Sequence, residues 1–357
     1  MRFALNEDQA MIAETVTRMF GEAFDRKALT GFARDGAIHD AWRGLIGASG
    51  LLGICAAEQA GGLGLGAVDA LAIAREAGAH AVPFPVSEGI VAAMALSGRP
   101  DLACDVIAAR TIAIIADADA GVIGAQHEQG VRLSGEVAGI GWAAEADLLI
   151  VDAEWSDGRV RRCLLRLDSP CVQITRRRSI DLTAPAASIR LDDAPAELMP
   201  DADVDFGRLR TILAAAEMEG AARTCLSLAV AYMKERQQFG QAIGRFQSLK
   251  HIAATDALHI ESMSVANAYA AWALDAGASD AEEALRIAKS YASEAARTVA
   301  EDSIQCHGGI GFTWDYGLHH YLRRILRLGG LCGTAHAQRG ALIADLIAAQ
   351  EGQREQA

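Results

Sequence analysis

Apolar residues recur at helical spacing along the first part of the chain. Residues 11–20 and 42–51 each place apolar side chains three or four positions apart, as on one face of a helix. A glycine run at 61–66 and Pro-Phe-Pro at 83–85 interrupt this pattern. No strand pattern precedes the glycine run, so a turn between helices is expected there, not a dinucleotide loop. The pattern predicts an N-terminal helical domain over residues 1–110.

The middle of the chain changes to short apolar runs separated by turn residues. Such alternation is typical of strands joined by tight connections. We therefore predict a small antiparallel β domain over residues 111–200. The runs cover residues 112–115, 131–133, 148–151, 163–167 and 187–191.

The helical period returns at Phe206 and continues nearly to the end. The paired glycines at 308–309 suit a left-handed stop for a helix over about residues 281–306, and a shorter helix follows over 317–327. Four helices of this length are typical of a bundle, which we predict over residues 205–357. The expected fold is mainly α, with a helical domain, a middle β domain and a C-terminal four-helix bundle.

Composition narrows the classes of partner. A chain of 357 residues exceeds what one core usually serves, and 51% hydrophobic with only 5% aromatic residues favours packed helices. The net charge of −13 would repel a phosphate backbone, so nucleic acid is not an expected partner. No stretch of about 18 uncharged apolar residues occurs, so no membrane span is expected either.

Cysteine and histidine usage gives no sign of a metal. The seven cysteines lie far apart without a Cys-x-x-Cys pair, which is typical of buried thiols in a reducing compartment. His319 and His320 are adjacent and would point about 100° apart on a helix, so we predict no metal site. The N-terminus has no basic segment followed by an apolar run, and we expect a cytoplasmic protein.

Two segments of the C-terminal half form the most specific pattern. Residues 235–240 read Glu-Arg-Gln-Gln-Phe-Gly, and residues 305–311 read Gln-Cys-His-Gly-Gly-Ile-Gly. With the order of the three domains, they resemble the acyl-CoA dehydrogenase family, in the short branch that includes subunits of heteromeric α2β2 enzymes. The resemblance covers the whole chain and is strongest after Phe206. Residues 50–62 resemble the family's Gly-Leu-x-Gly-(six residues)-Gly-Gly stretch, with Ala57 in place of a usual proline.

The resemblance implies FAD as cofactor. In the family, these motifs hold the ADP half of an FAD that belongs to a neighbouring subunit. Guanidinium groups suit a pyrophosphate, amides suit the sugar or base, and glycines let backbone approach a ligand. Each residue alone would more often be a surface group or a helix stop, but together they favour the flavin. The implied contacts are Arg236, Gln238, Phe239, Gln247, Gln305, Gly308, Gly309, Thr334 and His336, with His336 in place of a usual glutamine.

The expected catalytic base is missing. The family has Glu-Gly-Thr near its C-terminus, and this chain reads Cys-Gly-Thr at 332–334. A thiol buried among apolar residues is a poor base, so packing is the expected role of the cysteine and no catalytic residue is assigned. Some members place the base near the start of the first bundle helix, where Arg210 stands here. Glu217 and Glu219 remain alternatives, although helical spacing favours their pairing with Arg210 or Arg223.

The β domain also departs from the family pattern. Residues 115–122 stand where the family's flavin-ring loop would be and do not match it. Trp142 could stack near the flavin or belong to the core.

The resemblance implies a reaction and partners. A base removes the α-proton of an acyl-CoA while a hydride passes from the β-carbon to FAD, which leaves a trans-2-enoyl-CoA, and an electron-transfer flavoprotein takes the electrons. Because the base and the ring loop are altered while the ADP-binding motifs are intact, we expect the base-less half of a heterotetramer for steroid or other bulky acyl groups. The alternatives are a self-sufficient homotetramer with an atypical base and a flavin-free helical scaffold.

Overall fold

The computed structural model describes residues 6–35, 38, 40–116, 121–127, 130–199 and 206–355. The chain forms two compact units. The first, the bundle unit, comprises Met1–Thr30, Gly66–Val82 and Gly207–Ala357. The second, the sheet unit, comprises Gly31–Leu65 and Pro83–Phe206. The N-terminal helical residues are thus shared between the two units, and the three domain boundaries stay a prediction.

Helices dominate the described residues. They are α1 (Glu7–Ala23), α2 (Arg26–Asp35), α3 (Asp40–Ser49), α4 (Ala67–Ala79), α5 (Val86–Ala95), α6 (Pro100–Ile107), α7 (Phe206–Glu235), α8 (Gln247–Asp275), α9 (Ala281–His307), α10 (Leu318–Gly330) and α11 (Ala335–Glu355). The glycine run at 61–66 connects a 3-10 turn at Glu58–Ala60 to α4, so the expected turn between helices is confirmed.

Two contacts hold helix α4 in the bundle unit: a cap at its N-terminus and close packing along its buried face. The Asp275 carboxylate, at the end of α8, accepts hydrogen bonds from the N–H groups of Ala67 (2.7 Å) and Val68 (3.0 Å). It therefore caps α4 from a distant part of the chain. On its buried face, a Cβ on Gly78 would lie only 1.9 Å from the Glu217 carbonyl oxygen. Glycine is needed there because α4 and α7 pack backbone against backbone.

The C-terminal helices differ in number from the prediction. The described residues contain five helices after residue 205, not four. Helix α10 also runs to Gly330, three residues beyond the expected end. From its sequence, the glycine-rich segment at 329–333 would be expected to end the last helix. In the structure the chain turns there and continues into α11.

The sheet unit contains one seven-stranded sheet. Its strands are β1 (Ala113–Ile115), β2 (Val122–His127), β3 (Gly130–Gly141), β4 (Leu148–Trp155), β5 (Val160–Arg166), β6 (Val172–Arg177) and β7 (Ala186–Leu198). The order is β1-β4-β2-β3-β7-β5, with β6 beside β7 and a further β4–β5 pairing. The pairings of β4 with β1 and β2 are parallel, so the purely antiparallel prediction was wrong.

Strands β2 and β6 lack the continuous apolar runs that marked the other five. Strand β6 has no buried residue, and β2 buries only Val122 and Gly124. Strands that expose most of their side chains need few apolar residues, so a search for apolar runs misses them.

Trp142 belongs to the core of the sheet unit. It is 2% exposed and packs against Phe32, with ring centroids 6.0 Å apart. Phe32 in turn contacts Trp42 at 5.9 Å. Of the altered loop at 115–122, residues 117–120 lie outside the described residues. In the described part of the chain, no helix combines the length and the apolar character needed to cross a bilayer.

Candidate cofactor site

Three segments meet at one end of the bundle unit. Ala229 and Met233 of α7 pack against Cys306 of α9, and Ile243 and Leu249 pack against this group. The C-terminal ends of α7 and α9 and the start of α8 therefore lie together. We call this region the hairpin end, because it carries the two-stranded hairpin of β8 (Gln237–Gln238) and β9 (Gln241–Ala242), and the 3-10 turn Gly308–Phe312.

The hairpin exposes an aromatic ring on a strained turn. Gln238 pairs with Gln241, and the two residues between them, Phe239 and Gly240, have φ angles of +51° and +75°. A positive φ is unfavourable for a residue with a side chain. The Phe239 ring is nevertheless 90% exposed. A two-residue hairpin turn with positive φ at both positions accounts for the backbone. One edge of the ring contacts Phe246, with centroids 6.1 Å apart, and the rest of the ring is available to a ligand.

Positive charge collects at the hairpin end of an acidic protein. Arg236, Arg245 and Lys250 are exposed, and none of the three forms an ion pair with a described residue. Helix α8 begins there at Gln247, and the preceding Phe246 offers no side-chain cap for its first N–H groups. Uncapped N–H groups and the helix dipole favour an anion.

The turn at the end of α9 leaves its backbone open. Gly308 has φ +63° and ψ −142°, a conformation that residues with a side chain scarcely adopt. Apart from the neighbouring residues in sequence, no heavy atom of a described residue lies within 4 Å of the position that a Cβ would take at Gly308 or Gly309. Gln305 is exposed one turn earlier on α9. A ligand can therefore reach both the glycine backbone and the amide.

These groups fit the ADP half of FAD. Free guanidinium and ammonium groups and an open helix N-terminus suit a pyrophosphate, while the amides and the exposed ring suit an adenosine. Seven of the nine predicted contacts share the hairpin end: Arg236, Gln238, Phe239, Gln247, Gln305, Gly308 and Gly309.

The other two predicted contacts lie elsewhere in the bundle unit. Thr334 and His336 stand at the start of α11, where the preceding Gly333 accepts a hydrogen bond from Lys289 of α9. Lys289 comes sixteen residues before Gln305, which corresponds to about 24 Å along the helix. One chain does not bring all nine residues into a single contact site.

The segment that carries Cys332 is held in a fixed shape. Lys289 is fully buried, and its Nζ donates to the carbonyls of Gly329 (3.2 Å) and Gly333 (3.3 Å). The Gln338 amide donates to the Cys332 carbonyl at 2.6 Å. Cys332 itself has φ +55° and is partly buried. The position of the expected base is therefore well defined, and a thiol occupies it.

Glu219, one alternative base, is enclosed by donors. Its side chain is fully buried and lies 2.9 Å from Arg75 and 3.0 Å from Arg223. The Asn267 amide donates to the same carboxylate at 3.0 Å. The expected pairing with Arg223 is confirmed. Complete burial and three surrounding donors leave the carboxylate without access to a substrate.

Glu217, the second alternative, lies beside another buried cation. Its carboxylate is 4.0 Å from Arg324, and the two side chains are 8% and 3% exposed. Arg324 also donates to the Val82 carbonyl at 2.9 Å. Helical spacing could not predict this pairing, because Arg324 lies more than a hundred residues along the chain.

Sequence reasoning missed one buried acid. Asp256 of α8 is 1% exposed, and its Oδ1 atom has no hydrogen-bond partner among the described residues. Burial, with a smaller contribution from the charge of Asp302, raises the pKa of this carboxyl to about 7. Burial and the charge at Asp256 also raise the pKa of the Cys306 thiol to about 11. The sequence signal for this buried acid was a single Asp on an otherwise apolar face of α8. Because the Asp256 side chain is enclosed, it is not placed to contact a substrate.

The two adjacent histidines lie closer than helical geometry suggested. The ring centroids of His319 and His320 are 4.1 Å apart, beside Trp314. Burial and the charge of Arg323 lower the pKa of His319. Within the described ranges, no group of three or more His, Cys, Asp or Glu side chains is arranged to hold a metal ion.

A helical bundle with an end that fits a nucleotide is typical of a protein that binds a dinucleotide cofactor. The chain belongs to the acyl-CoA dehydrogenase family of FAD-dependent oxidoreductases that act on CH–CH groups. The acyl-CoA dehydrogenase N-terminal domain matches residues 6–101, and the C-terminal domain matches residues 203–347. The predicted family, its FAD cofactor and the arrangement of helical ends around a middle β domain are thereby confirmed.

Individual relatives agree with this assignment. Acyl-CoA dehydrogenase FadE34 of Mycobacterium tuberculosis is 35% identical over 82% of this chain, which spans 41% of that protein's length. Acyl-CoA dehydrogenase IpdE2 of the same organism is 31% identical over 89% of this chain and 91% of its own. Among solved structures, a variant of the Tcur3481-Tcur3483 steroid ACAD superposes with a TM-score of 0.88 at 28% identity and covers 96% of this chain and 99% of its own.

Proposed function

We propose that this chain is one subunit of a heteromeric acyl-CoA dehydrogenase, in which a sister chain supplies the catalytic base. The reaction would convert an acyl-CoA thioester into a trans-2-enoyl-CoA, and an electron-transfer flavoprotein would take the electrons. When bound, FAD supplies the hydride acceptor.

The observation that carries the proposal is that no candidate for the catalytic base is placed to remove a proton from a substrate. Cys332 stands at the position of the family base, on a segment that Lys289 holds in place. Glu219 is enclosed by two arginines and an amide, and Glu217 lies against Arg324. A general base must reach the proton that it removes. None of these three side chains supports that role.

The cofactor contacts support a flavin shared between chains. The hairpin end offers Arg236, Phe239 and Gln305 to a nucleotide but exposes them to solvent. Thr334 and His336 follow Gly333, which is bonded to Lys289, and Lys289 lies about 24 Å along α9 from Gln305. We propose that the two groups contact different FAD molecules, with the hairpin end binding the ADP half of an FAD whose ring belongs to the sister chain.

Exposed apolar surface supports assembly with a second chain. Ile343, Leu346 and Ile347 fall on one face of α11 and are 57%, 50% and 52% exposed. Clustered apolar side chains of this size at a surface mark interaction sites. The similar Tcur3481-Tcur3483 steroid ACAD is described by the names of two chains, which supports a two-chain assembly here. Its description as a steroid enzyme supports a bulky acyl group as the substrate of this chain as well.

The first experiment is to purify the chain alone and after co-expression with a candidate sister chain, and to measure flavin absorbance and native mass. We expect a colourless chain alone and a yellow heterotetramer with one FAD per pair of chains. A yellow homotetramer with one FAD per chain that oxidises acyl-CoA would contradict the proposal. Glu217→Gln and Glu219→Gln would then identify its base. Absence of flavin from every assembly would instead favour a scaffold.

A further inference from the structure

We infer that His307, with Tyr232 and Tyr316, is a positioning residue that sets the hairpin and the glycine turn at the spacing needed by the ADP half of FAD. The inference rests on the proposed function, since it concerns how the same site is held. His307 is 3% exposed and does not itself reach the surface, where a nucleotide would lie.

His307 contacts the element that leads into the hairpin. Its ring stacks on Tyr232, with centroids 4.7 Å apart and planes 27° apart. Tyr232 lies in the last turns of α7, and its carbonyl accepts the N–H of Arg236 at 2.8 Å. A shift of the His307 ring would therefore be transmitted to the backbone that carries Arg236.

The same imidazole holds the segment after the glycine turn. Its Nδ1 lies 2.7 Å from the Ser303 carbonyl, and its Nε2 lies 2.7 Å from the Tyr316 hydroxyl. A carbonyl can only accept, so Nδ1 carries a proton, and in the neutral ring Nε2 accepts from Tyr316. Both ring nitrogens are thus engaged, which fixes the orientation of the ring.

The glycine turn lies between these two anchors. It connects His307 to the segment that bears Tyr316, and a Cβ on Gly311 would lie 3.0 Å from the Cβ of His307. The turn therefore packs back onto the histidine while Gly308 and Gly309 stay open on the other side. Binding groups must be held by fixed supporting residues if they are to act together, and this network provides the support.

The chain offers a matched control for this network. A second histidine–tyrosine pair lies between α8 and α9, where His259 Nδ1 is 3.0 Å from the Tyr291 hydroxyl. Tyr316→Phe and Tyr291→Phe each remove one such hydrogen bond, and both tyrosines are partly buried. Only Tyr316 is joined to the hairpin end.

The test is calorimetric titration of the deflavinated full chain, in complex with its sister chain, with ADP, FAD and FMN. We expect Tyr316→Phe to weaken ADP and FAD binding about three- to tenfold. FMN lacks the AMP half and should bind unchanged. Tyr291→Phe should leave all three affinities unchanged. Tyr232→Leu, which removes the stacking, should resemble Tyr316→Phe.

Arg236→Ala distinguishes failure of the proposed nucleotide site from failure of the positioning role of His307. If it weakens ADP binding and Tyr316→Phe does not, the positioning role of His307 is wrong while the proposed site stands. If the wild-type complex binds no ADP and Arg236→Ala changes nothing, both the site and the inference are overturned. Equal losses for Tyr316→Phe and Tyr291→Phe would show a general stability effect and would also overturn the positioning role.

Discussion

At the residue scale, Cys332 stands at the position expected for the catalytic base, on a backbone segment with a defined shape, but its side chain is a thiol and not a carboxylate. Its backbone has φ +55°, and the carbonyls of Gly329 and Gly333 are both bonded to Lys289. The Lys289 ammonium is thus spent on backbone carbonyls, and the sister chain is proposed to carry the base.

If the sister chain removes the proton, as proposed, Cys332→Ser should leave kcat of the assembled enzyme within about twofold of wild type. Steady-state kinetics with a fixed FAD content checks this expectation. A loss of tenfold or more at full flavin occupancy would make Cys332 a participant in the reaction and contradict the base-less assignment.

Asp256 governs a pH dependence of stability. Its pKa is raised to about 7 in the folded chain, so folding is favoured when the carboxyl is protonated. The stability that this proton provides is present below the unfolded pKa of about 4 and is lost as pH rises towards 7.

Asp256→Asn should stabilise the protein by roughly 2 to 4 kcal/mol at pH 8 and change little at pH 4. Urea unfolding at both pH values gives the difference directly. Glu301→Gln, at an exposed helix position, serves as the control and should show no such pH-dependent gain. A gain of the same size at pH 4 and pH 8 would rule out titration of Asp256 as its cause.

At the residue scale, the sequence predicted what is encoded locally. The motif at 235–240 and the glycines at 308–309 are contiguous, so their placement at one end of the bundle follows from two helix ends. The Glu219–Arg223 pair follows from spacing on one helix. The contact between Glu217 and Arg324 depends on how α7 and α10 pack, and no local pattern contains that information.

At the scale of elements, helices α4 and α7 can approach closely because a glycine stands at their contact. A Cβ on Gly78 would lie 1.9 Å from the Glu217 carbonyl oxygen, and backbone cannot move aside as a flexible side chain can. The close approach also determines where Glu217 and Glu219 lie in the bundle unit.

Gly78→Ala should therefore destabilise the chain by about 3 kcal/mol or more, through overpacking. At Gly340 in α11, no described atom outside the local helix backbone lies within 4 Å of a new Cβ. Gly340→Ala should therefore stabilise the chain by up to about 1 kcal/mol. Chemical unfolding of the two variants measures both effects. Equal and small changes would mean that α4 and α7 can separate without cost.

Elements were predicted well where burial gave a period and poorly where it did not. The long helices α8 and α9 have strongly patterned buried faces. Strands β2 and β6 expose most of their residues, so their sequences carry little signal. The parallel partners of β4 were missed because strand order depends on tertiary packing, not on the pattern within a strand.

At the scale of the whole molecule, the outer face of α11 should matter for assembly and not for folding. Ile343→Ser combined with Leu346→Ser should change the stability of the isolated chain by no more than about 0.5 kcal/mol. The same pair should weaken assembly with the sister chain at least about tenfold, because each side chain would lose apolar burial in the interface.

Analytical ultracentrifugation of the mixed chains measures this effect. Val160→Ser in β5 is the control, since Val160 is 63% exposed but belongs to the sheet unit. Unchanged assembly by the α11 variant would remove this face from the proposed interface.

The route of the chain through its two units has a consequence for biosynthesis. Helix α4 buries Leu71 and Ile73 in the bundle unit, yet α7, against which it packs, begins only after residues 83–206 have been made. At ordinary translation rates this delay is roughly 6 to 25 s. During that time α4 can pack against α1, which is made before it, but the part of its apolar face that packs against α7 and α8 stays uncovered. The N-terminal segment should therefore bind chaperones on the ribosome until the second half emerges.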